Sequence, residues 1–137
     1  MQNAIHKSAA VILQDRKLLL SRNQGKDIFI APGGKLEPGE TSVQALIREM
    51  KEEQGITIVA TDVELLGTYH AVAAGQEAEQ TQLMMDVYFV HKYKGELSPQ
   101  AEIAENLWWD TSLTEVKQGS IFEHDVIPEL VRRKLLD

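Results

Sequence analysis

A loop, a helix and a helix stop follow one another in residues 34–56, and this segment constrains the fold more than any other part of the chain. Pro38-Gly39 is a turn pair, because Pro presets the first turn dihedral and Gly supplies a positive one. Thr41 and Gln44 have the spacing of a capping box, which predicts that a helix begins directly after Thr41. Gly55 stands where a left-handed residue ends a helix. The segment therefore predicts a well-capped helix between Thr41 and Gly55.

The predicted helix has two unlike faces when its residues are projected at about 100° each. One face is apolar and should be buried, and it consists of Val43, Leu46, Ile47 and Met50. The other face carries Glu49, Glu52 and Glu53, at the spacing that places helical side chains side by side. These like charges repel one another, and Arg48 can offset only part of the repulsion. A hard divalent cation can neutralise them, because Mg²⁺ takes oxygen ligands and is typically shared between carboxylates and substrate phosphates.

A longer pattern of fixed positions runs through the same segment. Gly34 is followed after five residues by Glu40, and Glu40 after seven residues by the run Arg48-Glu49-Met50-Lys51-Glu52-Glu53-Gln54-Gly55-Ile56. This pattern resembles the complete Nudix box, with a single departure at Met50, where an aliphatic residue is usual. That exchange is apolar and tolerant in volume. The resemblance implies an α/β fold, a Nudix-like α/β/α sandwich with a mixed central β-sheet, in which residues 1–137 form one domain.

The resemblance also implies a set of metal ligands. Glu49, Glu52 and Glu53 would hold Mg²⁺ or Mn²⁺ together with the main-chain carbonyl of Gly33, the first residue of a glycine pair. In the family a Glu about six residues before a Trp often adds one more carboxylate, and that position is Glu102 here. Two alternatives to Glu102 stay open at this point, namely Glu105 and no further ligand. The number of ions is open as well.

Catalytic roles follow from the same resemblance. Glu53 is a metal ligand or the general base, Glu52 acts beside it, and Arg48 orients the carboxylates. Gly34 and Glu40 belong to the loop, and Glu40 either ties the loop to the helix or reaches the outer shell of the metal. Two acids on a loop predicted at residues 74–81 are rivals for the base, Glu77 and Glu79.

The implied activity is metal-dependent hydrolysis of the pyrophosphate linkage in a nucleoside diphosphate linked to another group, X. The first prediction is that the substrate is a (deoxy)nucleoside triphosphate, which is cleaved to a monophosphate and pyrophosphate. The alternatives are ADP-ribose or another nucleotide sugar, and a dinucleoside polyphosphate or capped RNA end. An alternative from a different functional class is a nucleotide-sensing module, which would bind a nucleotide without turning it over. Isopentenyl diphosphate isomerases share the fold but rely on a catalytic cysteine, and this chain contains no cysteine.

Charge and aromatic residues suggest substrate contacts. The formal net charge is −7, which argues against binding to duplex nucleic acid and leaves a small-molecule nucleotide as the expected partner. Bases nevertheless prevail before the acidic helix, and Arg22 and Lys35 are candidates for contacting a polyanionic substrate. Family members that bind purine triphosphates often carry an aromatic residue before the Pro, where this chain has Ala31. Phe29 is the nearby candidate for stacking on the base, with a place in the core as the alternative.

Location and assembly follow from absences in the sequence. Without cysteine the chain forms neither disulfides nor thiolate metal sites, and a reducing compartment is the default. The first seven residues lack the apolar run of a signal peptide, and no segment reaches membrane-spanning length. We therefore expect a cytoplasmic protein that does not bind membranes. A homodimer is common in the resembled family, and this sequence leaves the oligomeric state open.

The rest of the chain reads mostly as strands. Apolar, β-favouring runs predict them at residues 8–13, 17–21, 28–30, 57–67, 69–73 and 83–91. Asp15-Arg16 is the turn of a hairpin between the first two strands. Residues 119–124 read as a loop, and residues 126–136 read as a C-terminal helix with Pro128 in its first turn.

Overall fold

A computed structural model describes residues 4–72 and 82–137. Its strands, numbered in chain order, are β1 (Ala4–Val11), β2 (Leu13–Gln14), β3 (Lys17–Asn23), β4 (Phe29–Ile30), β5 (Gly33–Lys35), β6 (Val63–Val72), β7 (Gln82–Val90) and β8 (Ile103–Trp109). Its α-helices are α1 (Ser42–Gln54) and α2 (Ile127–Arg132). The whole loop predicted at 74–81, including Glu77 and Glu79, lies outside the described residues.

The strands form two sheets. The first has the order β5-β1-β7-β6, in which β1 and β7 run parallel while the other neighbours are antiparallel. In the second sheet β3 pairs with β2, β4 and β8, always antiparallel. The combination of parallel and antiparallel pairs confirms the predicted mixed sheet.

Alternation along the central strands explains why helices cover both faces. Ala9 and Val11 point into a core cluster that includes Leu130 of α2, whereas Ala10 and Ile12 point into a second cluster that includes Leu46 of α1. Successive side chains of a strand project to opposite faces, so a strand that is apolar at every position must be buried on both sides. The α/β/α arrangement expected from the sequence is therefore confirmed.

Helix α1 has the predicted ends. The Thr41 hydroxyl accepts from the Gln44 amide at 3.1 Å, the Gln44 side chain accepts from the Thr41 amide at 2.9 Å, and Gly55 is left-handed at φ 69°. The predicted apolar face is right for Leu46 and Met50, which are fully buried. It is wrong in detail for the other two positions, since Val43 and Ile47 are only partly buried and Ala45 takes the buried place.

Leu46→Ala should destabilise the fold by about 2–5 kcal/mol, because it removes a side chain with no exposed surface and leaves a cavity under α1. Chemical denaturation monitored by circular dichroism measures this loss. Val43→Ala is the matched control on the same helix, and its partly exposed side chain should cost clearly less. Equal losses for the two variants would contradict the packing described here.

The C-terminal helix differs from its prediction at both ends. A π-helical turn at Phe122–Val126 leads directly into α2, where a loop was predicted, because Phe122 and Val126 are buried in the core. α2 ends at Arg132 and Lys134 is left-handed at φ 61°, so the helix does not continue to residue 136. This reversal buries Leu136 in the core.

The strand prediction between residues 57 and 73 also needs correction. Thr57 forms only an isolated bridge with Lys94, and a short 3-10 turn at Ala60–Asp62 interrupts the strand predicted at residues 57–67. Beyond it, β6 is continuous across the predicted gap at residue 68 and accommodates an irregularity between Leu65 and Gly67. Pairing with β7 along its whole length supplies the hydrogen bonds that hold it as one strand.

Candidate active site

Gly33 and Gly34, the glycine pair before the loop, form a thin wall between β1 and α1. We call this pair the glycine wall. At Gly33, with φ 146°, a Cβ atom would lie 2.0 Å from the main-chain oxygen of Ser8. At Gly34 a Cβ atom would lie 2.7 Å from the carboxyl carbon of Glu49. Neither position accepts a side chain without displacing its neighbours, so glycine is required for the strand and the acidic helix to approach this closely.

Glu53 is buried next to this wall, with 6% of its surface exposed. One carboxylate oxygen accepts a hydrogen bond from the Gly33 amide at 3.1 Å. Burial raises the pKa of Glu53 to about 8, and the neighbouring charges of Glu49 and Glu102 act in the same direction. The protonated form of Glu53 also hydrogen bonds with Glu49. The two acids thus lie side by side, and with its pKa raised to about 8 Glu53 retains its proton near neutral pH.

Arg48 ties the loop to the helix. Its Nε and one terminal nitrogen donate to the two carboxylate oxygens of Glu40 at 2.8 and 2.9 Å, while its other terminal nitrogen donates to Glu49 at 2.7 Å. It also donates to the main-chain oxygen of Lys35 at 3.0 Å. These bonds hold the pKa of Glu40 at about 2 and raise that of Arg48. The contact of Arg48 with Glu52, one turn further along the helix, is longer at 3.4 Å, and that carboxylate is largely exposed.

Arg48→Lys should reduce activity about 10- to 100-fold, because an ammonium group cannot grip Glu40 with two parallel bonds and hold Glu49 at the same time. Initial rates at saturating substrate over a series of Mg²⁺ concentrations measure this effect, and the metal concentration needed for half-maximal rate should rise. Arg132→Lys is the matched control, since Arg132 pairs with Glu129 on the exposed surface of α2. If the Arg48→Lys enzyme kept the metal dependence of the wild type, a positive charge at this position would be enough to hold Glu40 and Glu49 in place.

A buried polar network stands directly behind Glu53. Gln54 has no exposed surface, and its side-chain amide exchanges two hydrogen bonds with that of Asn106, at 2.9 and 2.7 Å. The Ser21 hydroxyl donates to Asn106 at 2.9 Å and accepts from Gln54 at 3.0 Å. The network joins the end of α1 to β3 and β8. No pattern in the sequence indicated it, because these three polar residues come from separate elements.

A cavity of about 390 Å³ opens on the other side of the glycine wall. Apolar side chains of β4, β7 and the π-helical turn make up most of its lining, among them Ile30, Met85 and Phe122. Lys7 and Lys35 line it as well. The acidic helix and the cavity therefore share Gly33 and Gly34 as a common boundary.

The sequence profile of the NUDIX domain matches residues 4–130, which is most of the chain. The chain belongs to the Nudix family. The Nudix box of residues 34–56 thus supplies Gly34 of the glycine wall, the Arg48 contacts and the acidic face of α1.

Comparison with curated proteins gives partial matches within the family. The chain is 29% identical over 102 residues to the uncharacterized Nudix hydrolase YvcI of Bacillus subtilis, covering 74% of this chain and 63% of that protein. It is 41% identical over 71 residues to the ADP-ribose pyrophosphatase of Methanocaldococcus jannaschii, covering 47% and 41%. Identity to the CTP pyrophosphohydrolase of Escherichia coli is 36% over 72 residues, covering 50% and 52%. The matches span less than two thirds of the length of these relatives.

Solved structures agree with the fold. The solution structure of the E. coli ORF135 protein has a TM-score of 0.73 and 25% identity, with coverage of 96% of this chain and 94% of that one. The E. coli dihydroneopterin triphosphate pyrophosphohydrolase has a TM-score of 0.72 and 21% identity, with coverage of 93% and 95%. The second likeness, at this identity, speaks for the Nudix fold alone.

The predicted ligands are brought together in part. Glu49 and Glu53 adjoin each other and the Gly33 amide, and Glu102 lies near enough to influence the charge of Glu53. Glu105 instead pairs with Arg22 on a neighbouring strand at 2.8 Å. Within residues 4–72 and 82–137, no three acidic or histidine side chains close around one point as a finished metal shell. The donor set nevertheless fits a hard cation, because neighbouring carboxylate oxygens are the ligands that Mg²⁺ or Mn²⁺ prefers once a cation displaces the proton held by Glu53.

Of the three predicted substrate contacts, one lines the cavity and two do not. Lys35 lines the cavity. Neither Arg22 nor Phe29 is among the described residues that line it, since Arg22 is engaged by Glu105 and Phe29 packs against the core cluster under α2. In the described ranges, no helix is both long and apolar enough to cross a membrane.

Proposed function

We propose that this protein hydrolyses the pyrophosphate linkage of a nucleoside diphosphate linked to X, with Mg²⁺ or Mn²⁺ as cofactor. The observation that carries the proposal is the buried Glu53, with its raised pKa, next to Glu49 and the Gly33 amide. An acid with such a raised pKa among like-charged neighbours is typical of a functional site rather than of a residue that stabilises the fold. Membership in the Nudix family supports the same reaction class.

Each residue has a role in this proposal. Glu49, Glu52, Glu53, the Gly33 carbonyl and Glu102 would hold the cation. When bound, the cation neutralises charge on the phosphates and lowers the pKa of a bound water. Arg48 keeps Glu49 in place and, through Glu40, fixes the loop against α1. Glu53 is the candidate both for a ligand and for the group that accepts a proton from water, because its pKa of about 8 lies close to neutral pH.

The substrate proposed first is a (deoxy)nucleoside triphosphate, which gives a monophosphate and pyrophosphate. The relative named CTP pyrophosphohydrolase supports it. The relative named ADP-ribose pyrophosphatase keeps a nucleotide sugar as the second candidate. Lys35 is the predicted substrate contact that the cavity supports, while Arg22 and Phe29 stay predictions from the sequence. The cytoplasmic location and a homodimer stay predictions as well.

A substrate panel tests the proposal. Purified protein is incubated with nucleoside triphosphates, ADP-ribose, other nucleotide sugars and dinucleoside polyphosphates, each with Mg²⁺, with Mn²⁺ and with EDTA. Release of monophosphate, pyrophosphate and phosphate is then quantified by chromatography. We expect metal-dependent cleavage of at least one class and none with EDTA. Binding of a nucleotide without any turnover at saturating metal would favour a sensing module instead.

A further inference from the structure

The carboxylates proposed to hold the cation come from two separate elements. Glu49, Glu52 and Glu53 lie on α1, whereas Glu102 directly precedes β8. Helix α1 packs against β1 and β5 of the first sheet, while β8 belongs to the second sheet and pairs with β3. The hydrogen bonds inside α1 and inside each sheet therefore leave the distance between Glu53 and Glu102 open.

Main-chain hydrogen bonds fasten the segment before β8 to the end of α1. The Ser98 amide donates to the main-chain oxygen of Gln54 at 3.1 Å. The Gln100 amide donates to the main-chain oxygen of Glu53 at 2.9 Å. Both oxygens belong to the last turn of the helix, where carbonyl groups have no partner within the helix. Glu102 thus follows two residues after a main-chain contact with Glu53.

The buried network of Gln54, Asn106 and Ser21 joins the same two elements through side chains. Gln54 follows Glu53 on α1, and Asn106 lies on β8, four residues after Glu102. The two amides exchange hydrogen bonds at 2.9 and 2.7 Å, and Ser21, which lies opposite Asn106 in the strand register, bonds to both. Buried polar groups that are all satisfied in this way favour one arrangement of the elements that carry them.

This arrangement matters for Glu53 and Glu102 because like charges repel each other. The charge of Glu102 acts on Glu53. A cation that binds both carboxylates needs their oxygens at a fixed separation, since Mg²⁺ accepts ligands at about 2.0–2.1 Å in octahedral geometry. Apolar contacts between α1 and β8 could stabilise the fold about as well, but they are not directional and would not fix this separation. The directional amide pair therefore fits the needs of a metal site better than those of stability alone.

We propose that Gln54 and Asn106 are positioning residues, which hold Glu102 opposite Glu53 at the separation that lets one divalent cation bind both carboxylates. This inference rests on the proposed function, in which these two acids are ligands. The amides act through the carboxylates, and Ser21 supports them by bonding to both. The affinity for the cation should consequently depend on residues that lie behind the ligands.

Mn²⁺ binding to the full chain without substrate tests this inference, with free Mn²⁺ measured by electron paramagnetic resonance. The triple variant Ser21→Ala, Gln54→Met, Asn106→Leu replaces the whole network by apolar side chains, so that none of its members keeps an unpaired polar group. We expect its dissociation constant for Mn²⁺ to rise about 10- to 100-fold. In a Glu102→Gln background the same triple change should alter this constant about twofold at most, because the network acts through Glu102.

Two further variants complete the test, and thermal unfolding verifies that each variant is folded. Tyr88→Phe is the matched control, since it removes a side-chain hydrogen bond with Ser42, at 2.6 Å, from the opposite end of α1. It should leave Mn²⁺ affinity unchanged. Gln54→Asn keeps the amide but shortens the side chain, and it should weaken Mn²⁺ binding even if the triple variant does not fold.

The outcomes separate this inference from the proposed hydrolysis. Unchanged Mn²⁺ affinity in the folded network variants would overturn the inference and leave the hydrolysis standing. A loss of affinity that multiplies in full with that of Glu102→Gln would also overturn it, because the network would then act elsewhere. Turnover plays no part in the titration, so a protein that binds Mn²⁺ as expected but cleaves no substrate would overturn the proposed function alone.

Discussion

Glu53→Gln should abolish metal-dependent hydrolysis and at the same time stabilise the folded protein. Activity should fall about 10² to 10⁴-fold, since the variant removes a carboxylate that serves as ligand or base. The amide can still accept from the Gly33 main chain and can donate to Glu49, so the local hydrogen bonds survive. The buried charge disappears, and with it the repulsion between the two acids. Loss of activity together with a gain in stability distinguishes a functional acid from a structural one.

The gain in the free energy of unfolding of Glu53→Gln over the wild type should increase as pH rises. A raised pKa means that the folded state favours the protonated acid, so the stability of the wild-type protein falls as pH rises from about 4.5 to about 8. Glu53→Gln should therefore match the wild type near pH 4 and exceed it above pH 8. Full conversion of the shift sets an upper bound on the order of 5 kcal/mol, and coupling to Glu49 should reduce the gain to about 2–4 kcal/mol.

Denaturant unfolding from pH 4 to pH 9, alongside initial rates with Mg²⁺, measures both effects. Glu52→Gln is the matched control for stability, because Glu52 lies on the same helix with a largely exposed side chain and should show no such pH-dependent gain. Glu115→Gln, an exposed acid remote in sequence, controls for activity. Parallel pH profiles for wild type and Glu53→Gln would contradict the burial argument. Full activity in Glu53→Gln would remove Glu53 from the mechanism.

Gly33→Ala should destabilise the fold severely and also inactivate it. The new Cβ atom would lie 2.0 Å from the Ser8 oxygen, which belongs to the backbone and cannot rotate away. At φ 146° a side chain is strained in addition. Relief requires β5 to separate from β1, and this movement withdraws the Gly33 amide from Glu53. We expect a loss of about 3 kcal/mol or more in the free energy of unfolding.

Thermal and chemical unfolding with parallel activity assays check this expectation. Gly39→Ala is the matched control, since its φ of 80° is also positive but nothing lies within 4 Å of the added Cβ atom. It should cost only about 1 kcal/mol and retain activity. Gly34→Ala should fall between them in stability, because it meets the movable side chain of Glu49 rather than backbone. A Gly33→Ala protein as stable as Gly39→Ala would mean that the strand pair is looser than described.

Local physics explains which parts of the fold the sequence predicted well. The capping box and the left-handed Gly55 satisfy the hydrogen bonds at the ends of α1 with residues close in the chain, so spacing alone located the helix. The strands came from apolar, β-favouring runs bounded by polar turns, a pattern that likewise needs no distant partner. The π-helical turn at Phe122–Val126 was missed, because burial against distant strands decides its geometry rather than its own composition.

The sequence by itself determined that Glu49, Glu52 and Glu53 would be neighbours on one helix. Spacing along a helix fixes which carboxylates are neighbours, whatever surrounds them. Only the tertiary structure decided that Glu53 is buried while Glu52 is exposed, that Glu105 pairs with Arg22, and that Gln54 meets Asn106. It likewise decided that Lys7 faces Lys35. Burial and the pairing of residues far apart in the chain depend on how the sheets and helices pack, and no local pattern carries that information.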